Sequence, residues 1–255
     1  NYPFCTIEPN IGIVEVPDAR MQALADIVKP QRMQYATTEF VDIAGLVAGA
    51  SKGEGLGNQF LATIRETDGI VNVVRCFEDD NVVHVAGKVD PISDIATIVT
   101  ELALADLTTV EKAQERNVKL VRSGDKDAAK LGELLVQVAA CLNEGKPART
   151  LTLDLAQRAL LKPLCLLTMK PVMYVANVAE KGFANNPLLT RVEEYAAHEG
   201  APVVAICAAL ESEIAVLSDE EKREFLADIG MTDLRVAEPS LDSVFLHITG
   251  TALRD

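Results

Sequence analysis

At 255 residues with 49% hydrophobic side chains, the chain can bury a real core, which excludes a disordered segment and leaves room for one large domain or a domain with an insertion. A formal charge of −14 argues against a protein whose whole surface grips nucleic acid and leaves space only for a local basic patch. The five cysteines (Cys5, Cys76, Cys141, Cys165, Cys207) are scattered, odd in number and never spaced C-x-x-C, so neither a disulfide framework nor a zinc site is indicated and a reducing cytoplasm fits.

The most apolar region, residues 160–179, is broken by Lys162-Pro163 and Lys170-Pro171 and does not read as a membrane span. No signal peptide is visible, and the first residue is Asn1 rather than Met, so a processed or truncated piece is expected.

Taken in order, Thr6 lies in a polar-aromatic loop, where a hydroxyl can complete a Mg²⁺ shell while the backbone N–H meets a phosphate. An ordinary loop or strand-entry residue is the alternative. Ile11 to Val16 reads as a strand, Pro17-Asp18 as a turn, and Met21 to Val28 as a helix. The β-rich run Thr38 to Ile43 places Asp42 where a buried parallel strand would end, and glycines follow at 45, 49, 53, 55 and 57. An Asp there can hold Mg²⁺ through oxygen, and Gly45 can bring a bare N–H against a phosphate. The same residues also suit a plain loop with an Asp turn.

Helix Gln59 to Arg65 and buried strand Gly69 to Cys76 continue the alternation, an order that predicts an open α/β sheet with ligands beyond the carboxyl ends of its strands. His84 reads as a surface or packing residue rather than a ligand or base. From Pro91 the pattern turns helical, with Ile95, Ile98, Val99 and Leu102 on one face. Ser123-Gly124-Asp125 breaks it, and Leu131, Leu135, Val138 and Leu142 form one seam, which predicts an antiparallel helical arm over residues 95–150.

Strand Pro171 to Ala176 runs straight into Asn177-Val178-Ala179-Glu180. An Asn amide can read a purine ring nitrogen and exocyclic group, and a nearby carboxylate can choose between purines; turn chemistry alone is the other reading. Thr190 to Glu193 predicts a capping box for a helix closed at Gly200. Strand Pro202 to Cys207 ends at Ala208, and Ser218 to Glu221 caps a further helix stopped near Gly230.

Three strand-end motifs in this order carry a resemblance. With the runs Asn1 to Asn10, Val41 to Asn58 and Ile64 to Asp68, the chain resembles the YchF subfamily of the Obg-like P-loop NTPases up to about residue 230. The resemblance implies an α/β, Ras-like P-loop NTPase domain with an inserted α-helical coiled-coil hairpin. The nucleotide-binding part would comprise 1–94 and 151–234, the insert 95–150, and a divergent tail 235–255.

It further implies ATP preferred to GTP, slow Mg²⁺-dependent hydrolysis, a ribosomal partner and a cytoplasmic location, with no membrane and no sequence-specific nucleic acid. Thr6 would be the switch I Mg²⁺ ligand, and Asp42 would act on the ion from behind its direct ligands or through a water. Asp42, Ala44, Gly45 and Leu46 would form switch II, with Gly45 donating to the γ-phosphate. Gly45, Asn177, Val178, Glu180, Cys207 and Ala208 would line the nucleotide. Leu46 stands where many relatives place a water-orienting glutamine, and an alkyl group cannot orient water, so slow turnover is implied. Glu180 replaces the aspartate that pairs with guanine in GTP-specific relatives, which implies a relaxed or adenine preference.

Two departures accompany the match. No G-x-x-x-x-G-K-[ST] motif occurs in the sequence, so the family's phosphate cradle is expected upstream and this chain alone is expected to bind ATP poorly. The family's small carboxyl-terminal TGS domain is also not seen; Glu238 to Gly250 is instead similar to the ends of ABC-transporter ATP-binding subunits, and a short amphipathic packing helix is the alternative there. A non-catalytic ribosome- or protein-interaction module is the competing function, and a GTPase a third.

Overall fold

Two small sheets and a long helical hairpin make up the computed structural model, which describes residues 10–16, 18–43, 56–79, 87–218, 220, 221, 224 and 225. Strand β1 (Asn10–Glu15) is followed by α1 (Ala19–Val28) and β2 (Thr37–Asp42). Asp18 opens α1 by accepting the Arg20 N–H at 2.9 Å. The two strands pair antiparallel, Asn10 opposite Asp42 and Glu15 opposite Thr37. The expectation of a buried parallel strand ending at Asp42 is therefore corrected. Among the described residues β2 pairs with β1 alone and is mostly exposed. Strand propensity and the β-α-β order do not distinguish a crossover that returns parallel from one that folds back, and here the chain folds back.

Helix α2 (Leu56–Glu66) leads to β3 (Ile70–Arg75), which joins β4 (Val172–Asn177) and β5 (Val203–Ile206) in a parallel sheet of order β3-β4-β5. Arg75 stands opposite Asn177, and Asn177 opposite Ile206, so the three strands end together. Alternate residues Val172, Tyr174 and Ala176 of β4 are buried, the period-2 signature of a strand packed on one face. They meet Ile95 and Val99 of α3 (Pro91–Arg122) and Leu189, Val192 and Ala196 of α6 (Pro187–Glu199).

Helix α3 has 32 residues and serves two cores. Its first turns pack on the sheet, while Leu102 and Ala105 meet Leu61 and Ile64 of α2. Further along, Ala103 and Val110 face Leu134, Leu135, Val138 and Leu142 of α4 (Lys126–Asn143), so the predicted seam is the one buried. Asp90 and Asp125 cap the two helices through their carboxylates. After α5 (Leu155–Leu161) a short 3₁₀ helix, Leu167–Met169, enters β4. Lys170 then caps the carboxyl end of α2, its Nζ donating to the carbonyls of Arg65 and Thr67.

Helix α6 begins one turn before the expected capping box. Asn186 is its N-cap, accepting from the N–H groups of Leu188 and Leu189, with Pro187 at the first helical position and Thr190 already inside. Proline has no N–H to satisfy there, so Asn-Pro out-competes Thr-x-x-Glu as the start. The end is as expected, Gly200 in the left-handed region at φ 67°. The reciprocal bonds of Ser218 and Glu221 are also present, at 2.7 to 3.4 Å.

Candidate nucleotide site at the strand ends

The ends of β4 and β5 are tied by one side chain. Asn177 Oδ1 accepts the backbone N–H of Ala208 at 3.0 Å. Ala208 opens α7 (Ala208–Ala215), and Cys207 before it offers no side-chain cap, so an otherwise unpaired helix-start donor is satisfied from the neighbouring strand. Asn177 is half-buried, and among the described residues its Nδ2 has no hydrogen-bond partner. The amide thus spends its acceptor on the protein and keeps a donor uncommitted at the carboxyl end of the strand, a group that an acceptor such as a purine N7 could take up.

Val178 and Cys207 do not reach outward. Val178 is 2% exposed within the sheet core and Cys207 is 3% exposed, so any contribution from these positions is made by backbone. Their strands are locked here by Val178 N–H to Ile206 O at 2.8 Å and Cys76 N–H to Asn177 O at 2.7 Å. Glu180 is exposed in the turn that follows. That turn closes through Gly182 N–H to Ala179 O at 2.7 Å. A Cβ on Gly182 would lie 3.0 Å from that carbonyl, so any side chain there would have to displace its neighbours by a few tenths of an ångström.

Asn186 supports the loop from behind, its Nδ2 donating to Cys76 O at 2.9 Å and Gly182 O at 3.0 Å. This residue and Gly182 were not among the expected site residues; the Asn-Pro pair is the signal that marks the first. On β3, Arg75 folds over Phe77, 4.6 Å from the ring centroid, and donates to Phe77 O at 3.0 Å. Asn177→Ala would strand the Ala208 N–H and loosen the β4–β5 ends. The expected cost is about 1 kcal/mol in chemical denaturation, with a larger loss in nucleotide affinity than in stability.

Asp42 sits exposed at the end of β2, with Ile43 packing against α2 beside it. Among the described residues no three His, Cys, Asp or Glu side chains cluster as a ready metal cage. A lone exposed carboxylate suits Mg²⁺, which keeps most of its waters and takes one or two protein oxygens. Thr6, Ala44, Gly45, Leu46, His84 and the tail 235–255 lie outside the described residues.

The model of a family described as 50S ribosome-binding GTPase matches residues 1–113. The "Ribosome-binding ATPase YchF" of Haemophilus influenzae is 58% identical over 244 residues, covering 96% of this chain and 66% of that protein. The Bacillus subtilis protein of the same name is 52% identical, over 91% of this chain and 64% of its own length. The chain therefore spans just under two thirds of these relatives. The solved Schizosaccharomyces pombe YchF GTPase superposes with a TM-score of 0.77 at 32% identity, over 97% of this chain and 68% of that one.

The chain belongs to the YchF family. Its fold is accordingly the α/β fold of the Ras-like P-loop NTPases. No helix among the described residues is long and apolar enough to cross a membrane.

Proposed function

We propose that this YchF-family chain is the nucleotide-handling part of a cytoplasmic, ribosome-binding ATPase that accepts ATP ahead of GTP. The observation that supports the reading is the Asn177–Ala208 bond, which fixes one strand end beside another and leaves the Asn177 amide donor uncommitted near the exposed Glu180. The amide donor serves N7 of either purine. A carboxylate is an acceptor only, so it pairs with the exocyclic NH₂ of adenine or with the NH groups of guanine, and its reach decides between them. Glutamate carries the carboxylate one methylene further than aspartate, which disfavours the fit to guanine.

The site set is Gly45, Asn177, Val178, Glu180, Cys207 and Ala208 for nucleotide, with Asp42, Ala44, Gly45 and Leu46 as switch II. The helical hairpin, 95–150, is an insert within the nucleotide domain formed by 1–94 and 151–234. Thr6 and Asp42 are the residues that hold Mg²⁺, which when bound neutralises charge on the phosphate oxygens. Leu46 offers no polar group to orient water, so turnover is slow unless a partner supplies one.

Glu180→Asp tests the base preference. In a chain fused behind a P-loop segment, the variant is expected to move the ATP-to-GTP affinity ratio toward GTP by about tenfold, the scale of one buried hydrogen-bond pair. An unchanged ratio would remove Glu180 from base reading. Absence of ATPase activity with ribosome cosedimentation retained would leave only a non-catalytic interaction module.

A further inference from the structure

The free end of the α3–α4 hairpin reverses the charge of the molecule. Between Lys112 and Lys130 there are six basic and three acidic side chains, a local balance of +3 in a chain whose total is −14. The last inward contact of α3 is Asn117, 5% exposed, whose Nδ2 donates to Ala128 O at 2.7 Å and pins the two helices together. Beyond it every residue from Val118 to Asp127 is exposed.

The cations are ordered rather than scattered. At about 100° per residue, Lys112, Arg116 and Lys119 fall within about 60° of one another, and Arg122 lies about 60° further round. Val110 and Asn117, which face α4, lie on the opposite side of the helix. All four cations are exposed. Among the described residues none has a carboxylate within ion-pair distance; the one pair at this end joins Lys130 to Asp127 at 3.8 Å, on α4. Glu115 falls inside the same arc, between Lys119 and Arg122, without closing a pair. Of the acidic residues at the turn, Asp125 is committed to capping α4. The exposed Val121 lies on the far side of the helix and Val118 just past Arg122, so the arc itself carries four cations and one carboxylate.

We propose that this outer stripe, Lys112, Arg116, Lys119 and Arg122, is a docking surface for the phosphate backbone of RNA, read by charge and not by sequence. A stripe of unpaired cations at successive turns matches a row of phosphates about one helical turn apart, and counterion release drives the contact. The acidic remainder of the chain repels the same polyanion, so the hairpin is presented end-first. The proposal rests on the ribosome-binding reading for its biological partner and names the surface that reading lacks.

Protein-stripped ribosomal RNA and intact ribosomes separate the two. The full chain, its Lys112→Glu/Arg116→Glu/Lys119→Glu/Arg122→Glu variant and a control carrying the same number of reversals at Arg32, Lys146, Arg158 and Lys162 are titrated against stripped RNA over a range of salt. The stripe variant is expected to bind at least about tenfold more weakly and to lose about three units of the salt slope, while the control falls less. Circular dichroism checks that the helices persist, and glutamine versions of the four residues give the same order if a reversal unfolds the tip. No binding of stripped RNA by the parent chain, or equal losses in stripe variant and control, would overturn the proposal. So would a stripe variant that loses intact ribosomes yet binds stripped RNA normally, which would assign the surface to an acidic protein. Failure of the parent chain to cosediment with intact ribosomes while stripped RNA still depends on the stripe would instead sink the ribosome reading and leave this surface standing.

Discussion

Replacing Asp106 by alanine is expected to destabilise the protein by about 3–5 kcal/mol, the largest single effect we foresee. The carboxylate is completely buried in α3 and accepts three hydrogen bonds: from the N–H of Leu167 at 2.8 Å, the N–H of Thr168 at 2.7 Å and the Thr168 hydroxyl at 2.7 Å. Truncation strands all three donors where water does not reach, at the point where the helical hairpin is fastened to the entry of β4. Urea unfolding should show a lower midpoint with an unchanged slope. Asn is expected to cost less, since it keeps one acceptor oxygen.

Burial pushes the Asp106 carboxyl above its ordinary 3.8, with the bonds from Thr168 and Leu167 pulling the other way. A carboxyl raised in the folded state holds its proton there more readily than in the unfolded chain. Its contribution is therefore fully present below 3.8 and is lost as pH rises through the raised value. Asp106→Asn removes that term, so the variant's stability should fall less across this window than the parent's. An identical pH profile would contradict the assignment.

The second large effect is expected at Arg149, which follows the return of the hairpin. Its guanidinium meets Glu199 at 2.8 Å, with the two side chains only 16% and 11% exposed. Glu199 also accepts the hydroxyls of Tyr174 at 3.0 Å and Tyr195 at 3.1 Å, whose rings meet edge-on with centroids 5.9 Å apart. Arg149→Met leaves a buried carboxylate without its cation and should cost about 3 kcal/mol. Glu199→Gln in the same background removes the stranded charge and should recover part of that loss, so the double-mutant cycle is strongly non-additive. Burial, with Glu199 beside it, raises the Tyr195 hydroxyl to about 12. In Glu199→Gln the ultraviolet titration of Tyr195 should move down toward its ordinary 10.

The helical pairing was legible because its pattern is local: of the seam Leu131, Leu135, Val138 and Leu142, the last three are among the buried residues of α4 and Leu131 is half-buried. The strands ending at Arg75, Asn177 and Ile206 were legible for the same reason, as short apolar runs. The direction of β2 was not, since the alternation of Thr38 to Asp42 is the same whichever way its partner runs. Nor were the buried charges. Asp106 finds Thr168 from 62 positions away and Arg149 finds Glu199 from 50, and in sequence each looks like one more surface charge on a helix or turn. At the candidate site, Asn177 was identifiable from its place at a strand end, whereas its bond to Ala208 depends on how β5 is registered against β4.

The most direct test of the nucleotide reading is competition between ATP and GTP for a fluorescent adenine nucleotide bound to the protein, with Mg²⁺ present. The account predicts that ATP displaces the probe at lower concentration than GTP and that Asn177→Ala weakens both. Displacement by GTP ahead of ATP, or affinity indifferent to Asn177, would contradict it.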